Sequence, residues 1–395
     1  MKIITSSAQD IDTKNAIDEI CKSFPTQNLS PSIILCYFTE EHDGDQVIRL
    51  LRECYPKAKI HGCSSCQGIM TDKGFFSSPA ISVWALFDTK NGAYGTGLAS
   101  FDQLPVHEAT KSALFHAIKD TGRFGELPEL LILHTTPGSE EEVLQAIEAE
   151  LKGVPIVGGS AADNHIMNNW QIITQRGSCK NGVSISVYYP SCQISYSFHS
   201  GYISTGKRGV ATKVDGRELI EINGQPAAQV YQQWTGLNLN ENMSDNVNIL
   251  TQSNLFPFGR IAGYLYESPY YKLTHPAKVT ERGGLLLFST ITSGEEIYLM
   301  TGTRKRLITR AGRVIDSAID TSRGQLDPIG GLNVYCAGCM AHIVDDMDSV
   351  RLHVNQAMHE QPYVCPFTFG EQGKFIGGEN AHGNLMISTV LFHRS

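Results

Sequence analysis

The sequence lacks the long apolar runs and long charged runs that mark several classes of protein. No window approaches the about 18 apolar residues of a membrane-spanning helix, and the start, Met1–Ser7, has no apolar signal segment. Lysine and arginine number 32 against 40 acidic residues, for a net charge of −8, and they form no basic run. We therefore expect neither a membrane protein nor a nucleic-acid-binding protein, and we predict a cytoplasmic location.

The residues that are present describe an ordinary folded protein with many turns. Hydrophobic residues make up 41% and charged residues 18% of the 395 positions, and there are 37 glycines and 16 prolines. A chain of this length is too long for one comfortable hydrophobic core, so two domains are expected. The ten cysteines do not imply a disulfide framework in a reducing compartment.

A pattern of apolar strand, helix and apolar strand occurs twice, at 35–64 and at 131–160. In both copies the second strand leads into glycine and small polar residues, which is typical of a turn where backbone groups can face a ligand. Matching element order together with matching turn chemistry indicates an internal duplication. Right-handed crossovers would place both glycine turns at the same edge of their sheets. The positions in register include Leu35 and Leu131, Thr39 and Thr135, Val47 and Val143, Gly62 and Gly158, and Ser64 and Ser160.

The rest of the chain changes character near residue 222. A helix with apolar periodicity is predicted at 108–121, and a hairpin with an Asp-Gly turn at 209–224. Beyond it the chain is rich in strands. We predict a mixed α/β (α+β) fold in which an internally duplicated βαβ-type N-terminal domain, 1–222, packs on a strand-rich α+β C-terminal domain, 223–395.

One predicted helix of the C-terminal part, 305–319, carries four basic residues. A charged helix face is usually solvated, so no function is assigned to it. These residues are Lys305, Arg306, Arg310 and Arg313.

Several short stretches follow one another in a characteristic order over about residues 30–392. They are His61-Gly62-Cys63-Ser64 with Gly68, Val157-Gly158-Gly159-Ser160-Ala161 with Asp163, Ile222-Asn223-Gly224-Gln225-Pro226-Ala227 with Val230-Tyr231, Cys336 after a strand, and Phe369-Gly370-Glu371 followed by His382 and Asn384. In this order and spacing the chain resembles the FIST family, a sensory module of FIST-N and FIST-C domains.

The resemblance implies a receptor-like domain pair that binds small ligands such as amino acids and reports to a signal-transduction partner. Some stand-alone members look instead like haem proteins that sense nitric oxide beside a histidine kinase. No kinase, cyclase or chemoreceptor segment is visible here, so we expect a separate signalling partner and no enzymatic activity. The sequence departs from the family at Cys339, where the usual pattern has an arginine.

We predict a pocket for a small polar metabolite between the two glycine turns and the C-terminal domain. The serines lack the oriented base of a nucleophile, so they are interpreted as hydrogen-bonding groups. Asp163 and Glu371 either accept from a ligand ammonium group or cap turns, and the glycine-rich segment 377–384 is predicted to be a loop that closes over the site. The predicted ligand-binding residues are Gly62, Cys63, Ser64, Ser65, Gly158, Gly159, Ser160, Ala161, Asp163, Cys336, Glu371, His382 and Asn384.

Two Cys-x-x-Cys pairs, Cys63/Cys66 and Cys336/Cys339, leave three interpretations open. They could share a four-thiolate zinc ion, undergo reversible thiol oxidation, or simply be packed or line a pocket, which is the usual role of free cysteine. Haem is a further alternative, although no Cys-x-x-Cys-His motif is present and a lone histidine is more often only hydrogen-bonded. The histidines near predicted strand ends are His61, His134, His342 and His382.

Overall fold

The computed structural model describes residues 1–24, 30–239, 249–265, 267–321 and 327–394. Within them helices and strands mix along the chain, which confirms the predicted mixed α/β fold class. The first unit begins with an edge strand and a helix, followed by a βαβ crossover, a small hairpin and a returning strand. Its elements are β1 (Lys2–Ala8), α1 (Thr13–Ser23), β2 (Ile33–Phe38), α2 (Gly44–Cys54), β3 (Lys59–Ser64), β4 (Gly68–Thr71), β5 (Phe75–Ser77) and β6 (Ile81–Phe87).

The second unit repeats this order of elements. Its continuous apolar strands are fully buried, as expected for strands that are covered on both faces. Its elements are β7 (Ala93–Ser100), α3 (Val106–Thr121), β8 (Leu130–Thr135), α4 (Glu140–Glu150), β9 (Ile156–Ser160), β10 (Ile172–Thr174), β11 (Gly177–Cys179) and β12 (Gly182–Tyr189).

A third unit starts with the strand β13 (Ile194–His199) but is interrupted by an insertion, 200–303, whose described strands form a sheet of their own. The predicted hairpin with the Asp-Gly turn is present there, with Gly216 in the left-handed region at φ 59°. The elements of this insertion are β14 (Ile203–Asp215), β15 (Glu218–Ile222), β16 (Gln225–Pro226), α5 (Ala227–Thr235), α6 (Leu250–Ser253), β17 (Phe258–Leu265), β18 (Ser268–Thr274), β19 (Pro276–Val279), β20 (Leu285–Leu287) and β21 (Glu296–Thr301).

The third unit then resumes and completes the same order of elements. Two helices instead of one connect its parallel strands. The elements are α7 (Arg304–Thr321), β22 (Pro328–Cys336), α8 (Ala337–His342), α9 (Met347–Ala357), β23 (Tyr363–Thr368), β24 (Glu371–Lys374), β25 (Asn380–Gly383) and β26 (Ile387–His393).

Each unit gives its hairpin to the sheet of another unit. The strand orders are β1-β6-β2-β3-β10-β11, β7-β12-β8-β9-β24-β25 and β13-β26-β22-β23-β4-β5. The first unit's hairpin thus extends the third sheet, the second unit's hairpin extends the first, and the third unit's hairpin extends the second. Strands from both sides of the predicted border at 222/223 share these sheets. The border itself, and a duplication as the origin of the recurring order, stay predictions.

The three six-stranded sheets pack their inner faces together into one core. Leu35, Ile132 and Leu332, one from each sheet, belong to the same buried cluster. Helices α1 and α2 cover the outer face of the first sheet, α3 and α4 that of the second, and α7 and α9 that of the third. The disulfide between Cys21 and Cys54 joins α1 to α2 and was not predicted from the sequence.

The two predicted glycine turns are strands, so this part of the prediction is wrong. Gly62 lies within β3 and Gly158 within β9. A Cβ atom at Gly62 would overlap the carbonyl oxygen of Cys36, and one at Gly158 would overlap that of Leu133. Glycine is needed here because neighbouring parallel strands approach closely, and not because the chain turns.

Two further predictions are corrected by the structure. Part of the segment 377–384, expected to be a closing loop, forms strand β25 of a hairpin whose other strand pairs with β9. Arg310, placed on a solvated helix face, is 1% exposed. It follows Leu307 by three positions and precedes Val314 by four, so it lies on the apolar face of α7.

Candidate functional site

The carboxyl ends of β3, β9 and β23 meet on one side of the shared core. The backbone N–H of Ala162 donates to the carbonyl of Ser64 at 3.0 Å, and that of Cys66 donates to the carbonyl of Phe367 at 2.9 Å. The loops that leave these three strands therefore start beside one another. Such loop clusters on a rigid sheet scaffold are common places for binding sites.

A cavity of about 320 Å³ lies beside these loops. Its volume is near the lower end of the range found for small-molecule pockets. Residues from both sides of position 222 contribute to its wall: Cys66, Gln67, Pro137, Glu140, Asn164, Ile166, Trp170, Arg217, Leu250, His275, Phe288, Cys336, Ala337, Gly338, Ala341, Phe369 and Asn384.

Much of the cavity wall is apolar, and three aromatic side chains give it its shape. Trp170 and Phe369 meet edge to face, with ring centroids 6.1 Å apart and an interplanar angle of 90°. Phe288, from the inserted sheet, adds the third ring. Aromatic walls of this kind suit a ligand with a planar or apolar body.

Asn384 places an unpartnered hydrogen-bond donor in this wall. The side chain is 2% exposed, and its Oδ1 accepts from the backbone N–H of His275 at 3.2 Å. Its Nδ2 has no hydrogen-bond partner. A buried amide nitrogen without a partner costs about 1–3 kcal/mol, so a ligand acceptor in the cavity would recover that free energy.

The charged groups at the cavity are already paired. Arg217 donates from Nη2 to Oε2 of Glu140 and to Oε2 of Glu141, each at 2.7 Å. Burial raises the pKa of Glu141, but the neighbouring His382 and Arg217 outweigh it and hold that pKa well below its usual range. The carboxylate of Glu141 thus remains charged, and together with Glu140 it occupies the guanidinium of Arg217. Burial lowers the pKa of the His275 imidazole in the cavity wall to about 4, so this ring is neutral at pH 7.

Of the predicted site residues, Cys336 and Asn384 line the cavity. The fold brings some of the others next to each other, since Gly159 pairs with Glu371 across β9 and β24, and Ser64 and Ala161 lie at neighbouring strand ends. The remaining residues do not line the cavity and lie in strands or at strand ends. They are Gly62, Cys63, Ser64, Ser65, Gly158, Gly159, Ser160, Ala161, Asp163, Glu371 and His382.

The three predicted serines have hydrogen-bond partners within the protein. The hydroxyl of Ser64 accepts from the backbone N–H of Gln171 at 2.8 Å. Ser65 donates to the carbonyl of Gly68 at 2.6 Å, and Ser160 donates to Oε1 of Glu140 at 2.9 Å. These hydroxyls tie the strand ends to the neighbouring loops.

Asp163 organises the loop that supplies two residues of the cavity wall. Its carboxylate accepts from the backbone N–H groups of Ile166, Met167 and Asn169, the last two at 2.8 Å. Ile166 and Trp170 of this loop line the cavity. Asp163 therefore has the turn-stabilising role that the sequence left open.

Glu371 and His382 likewise contact other parts of the chain. Glu371 is fully buried, which raises the pKa of its carboxyl well above the usual value, and it accepts from the Thr368 hydroxyl and the Met386 N–H at 3.0 Å each. His382 pairs through Nδ1 with Oε1 of Glu141 at 3.1 Å.

The two Cys-x-x-Cys pairs do not converge on one metal site. Within the described ranges, three or more side chains of metal-ligating type come together at Glu140, Glu141 and His382, and both of these carboxylates are bound by Arg217. Cys63 belongs to the core between the sheets, whereas Cys339 packs in the core under α7. A shared four-thiolate zinc ion does not fit this arrangement.

None of the four candidate haem histidines lines the cavity. His61 and His134 are fully buried, and both ring nitrogens of each have hydrogen-bond partners. These side chains do not offer a free nitrogen to a haem iron in the cavity.

Sequence reasoning missed the aromatic wall and the buried cation beside the cavity. Trp170 lies in a polar, irregular stretch where no periodicity marks it, and Phe288 ends an apolar run that looks like any buried strand. Arg310 could have been found, because its position on the apolar face of its helix is visible in the spacing of Leu307, Ala311 and Val314.

Comparison with known proteins gives matches to two adjoining domains. Residues 32–225 match the FIST N domain and residues 227–374 match the FIST C domain, so together they span most of the chain. The chain belongs to the FIST family. FIST domains are sensory domains for small ligands, and the cavity of this FIST protein is lined from both matched stretches.

One curated relative is an uncharacterized protein of Methanocaldococcus jannaschii, which is 21% identical in an alignment of 290 residues that covers 69% of this chain. The chain spans about half of that relative, 52% of its length. Among solved structures, cyanuric acid hydrolase from A. caulinodans aligns over 100% of this chain and 99% of its own, with a TM-score of 0.39 and 7% identity. A chorismatase aligns over 98% of both chains, with a TM-score of 0.33 and 12% identity.

No helix among the described residues is long and apolar enough to span a membrane.

Proposed function

We propose that this FIST protein is a sensory protein that binds a small ligand with a planar apolar body and one hydrogen-bond acceptor. The unpartnered Nδ2 of Asn384 in an aromatic cavity is the observation that carries the proposal. The ligand ring would lie against Trp170 and Phe369, and its acceptor would take the Asn384 hydrogen bond.

The chemistry of the wall narrows the ligand class predicted from the sequence. A free amino acid carries two charges, and each needs a partner when it is removed from water. The guanidinium of Arg217 is occupied by two carboxylates. Neutral aromatic amides, lactams and similar rings therefore suit the cavity better than a zwitterion does.

The position of the cavity suggests how binding could produce a signal. Its wall joins the FIST N stretch, through Trp170 and Cys66, to the FIST C stretch, through Phe288 and Cys336. A ligand that bridges the two would stabilise the ligand-bound conformation of the cavity wall, and a separate protein such as a histidine kinase would detect the change.

Three variants test the site in a thermal-shift screen of aromatic amides, aromatic carboxylic acids and amino acids. Asn384→Asp keeps the acceptor for the N–H of His275 but replaces the donor with an oxygen that repels a ligand acceptor. Ala337→Phe fills the cavity, and Ala149→Phe places the same side chain on an exposed part of α4. We expect a neutral aromatic compound to raise the Tm of the wild type and of Ala149→Phe only. Equal shifts in all four proteins, or shifts from amino acids alone, would contradict the proposal.

A further inference from the structure

A buried cation beside the cavity makes direct contact with a cysteine. Arg310 is 1% exposed, and its Nη1 donates to Sγ of Cys339 at 3.2 Å while its Nη2 donates to the carbonyl of Leu385 at 2.9 Å. No carboxylate lies within ion-pairing distance of Arg310 in the described part of the chain. A buried guanidinium needs a counter-charge, and the sulfur of Cys339 is the group in contact that can supply it.

The surroundings of Cys339 favour its thiolate. Burial alone would raise the pKa of this thiol, but the hydrogen bond from Cys336, the charge of Arg310 and the Tyr202 hydroxyl 3.5 Å away lower it to about 6. Burial raises the pKa of Cys336 well above that of an ordinary thiol, and it likewise raises the pKa of the neighbouring Glu371 carboxyl. The negative charge of the cluster is thus held on Cys339.

Cys336 connects this buried thiolate to the cavity. It caps the start of α8, lines the cavity wall and shares a hydrogen bond with the sulfur of Cys339 three residues later. Three thiols of the described core are in different surroundings. Burial raises the pKa of Cys36, Cys63 and Cys365 with no opposing cation, so they remain unreactive thiols.

We propose that Cys336 and Cys339 form a redox-active dithiol that a small hydroperoxide entering the cavity oxidises to a disulfide. Arg310 is the positioning residue that holds Cys339 as the anion. This site is independent of the ligand class proposed above, since it needs only a peroxide that reaches Cys336.

The reaction balances with hydrogen peroxide as the oxidant. Cys336 passes its proton to Cys339 and attacks one peroxide oxygen, so that an S–O bond forms, the O–O bond breaks, and the leaving hydroxide takes the proton from Cys339. The Cys339 thiolate then attacks the sulfur of the Cys336 sulfenic acid. An S–S bond forms, the S–O bond breaks, and the second hydroxide takes a proton from solvent. Two electrons pass from the two sulfurs to the peroxide, which becomes two waters.

Peptide mapping of the full chain tests the proposal. The protein is reduced with dithiothreitol, freed of reductant, treated with less than one equivalent of hydrogen peroxide, alkylated and digested without reductant. We expect the Cys336–Cys339 disulfide to form before Cys36, Cys63 or Cys365 is modified. Free, alkylated Cys336 and Cys339 beside oxidised cysteines elsewhere would overturn the proposal.

Variants assign the roles of the two cysteines and of the arginine. Cys339→Ser should stop at a Cys336 sulfenic acid that dimedone traps, and Cys365→Ser, a matched buried thiol of β23, should behave as the wild type. Arg310→Gln should slow the oxidation roughly thirtyfold at pH 7, because the fraction of Cys339 that is thiolate, and can therefore take the proton of Cys336, falls to that of an ordinary thiol. Arg310→Lys should restore part of the rate.

A spectroscopic measurement keeps the proposal testable if Arg310→Gln does not fold. At pH 7 the ultraviolet thiolate absorbance of the reduced wild type should exceed that of Cys339→Ser by about one thiolate. Equal absorbance of the two proteins would show that Cys339 is not ionised and would overturn the role given to Arg310.

Discussion

The polar ring of His134 makes its hydrogen bonds inside the buried core of the protein. It is fully buried, and its Nδ1 lies 2.9 Å from the carbonyl of Gly159, which can only accept. Nδ1 therefore carries the proton, and Nε2 accepts from the hydroxyl of Tyr37 at 3.1 Å. A second proton would put a positive charge on this fully buried ring, so burial lowers the pKa of His134 to about 4.

The folded protein should lose stability in mild acid because of this histidine. Between pH 6.5 and pH 4 the unfolded chain binds a proton on His134 and the folded chain does not, so the free energy of unfolding falls as the pH falls. The contribution of His134 to this loss reaches about 3 kcal/mol. Urea unfolding at a series of pH values measures it, and His134→Gln should show a slope shallower by up to about one proton.

An exposed histidine provides the control for that measurement. His353 lies on the surface of α9, and His353→Gln should keep the pH dependence of the wild type. The pH dependence that remains in His134→Gln should come largely from the other histidines whose pKa values are lowered by burial, namely His42, His61, His199 and His275. If His134→Gln retains the full wild-type slope, His134 is not the buried neutral base described here.

For single residues, the sequence predicts membership of a site better than it predicts the surroundings of a side chain. The place of Cys336 after a strand and of Asn384 near the terminal strand was enough to predict them as site residues, and both line the cavity. The environment of Arg310 was predicted wrongly, because basic residues on a helix are solvated in most proteins. Only the spacing between Arg310 and its apolar neighbours in the helix indicated that its side chain is buried.

Among the elements, the parallel pairs β2/β3 and β8/β9 depend on glycine for their spacing. In β9, Gly158 faces the backbone of β8, where a methyl group would overlap the carbonyl oxygen of Leu133. The sequence signal was ambiguous, since glycine beside serine is more often found in a turn than inside a strand. The local sequence therefore gave the correct position of these strands but the wrong conformation at their ends.

Gly158→Ala should separate the two strands and destabilise the second sheet. The new methyl group meets fixed backbone atoms and no flexible side chain, so we expect a loss of about 3 kcal/mol in the free energy of unfolding. Gly74→Ala is the matched control, because its Cβ would only touch the Phe76 ring at 3.6 Å. Its stability should stay within about 1 kcal/mol of the wild type in urea unfolding. Similar losses in both variants would argue against the close strand approach.

For the whole molecule, the third unit was the largest feature that the sequence did not disclose. Its first strand, β13, is separated from α7 by the inserted residues 200–303, and two helices replace the single helix of the βαβ crossover. Both changes remove the constant spacing by which a repeat is recognised. The exchange of hairpins between units was also hidden, because strand pairing between distant segments leaves no mark on local periodicity.

Because the units exchange hairpins, we predict that the chain before the junction of the FIST N and FIST C domains cannot fold alone. A fragment of residues 1–222 keeps β4, β9 and β13 but loses their partners β23, β24 and β26. Its sheets would then have unpaired edges, and the shared core would lose the inner face of the third sheet. We expect urea unfolding of the fragment, followed by near-ultraviolet circular dichroism, to lack the single cooperative transition of the full chain. Co-expression with 223–395 should restore that transition in the purified complex, whereas cooperative unfolding of 1–222 by itself would contradict an interlocked fold.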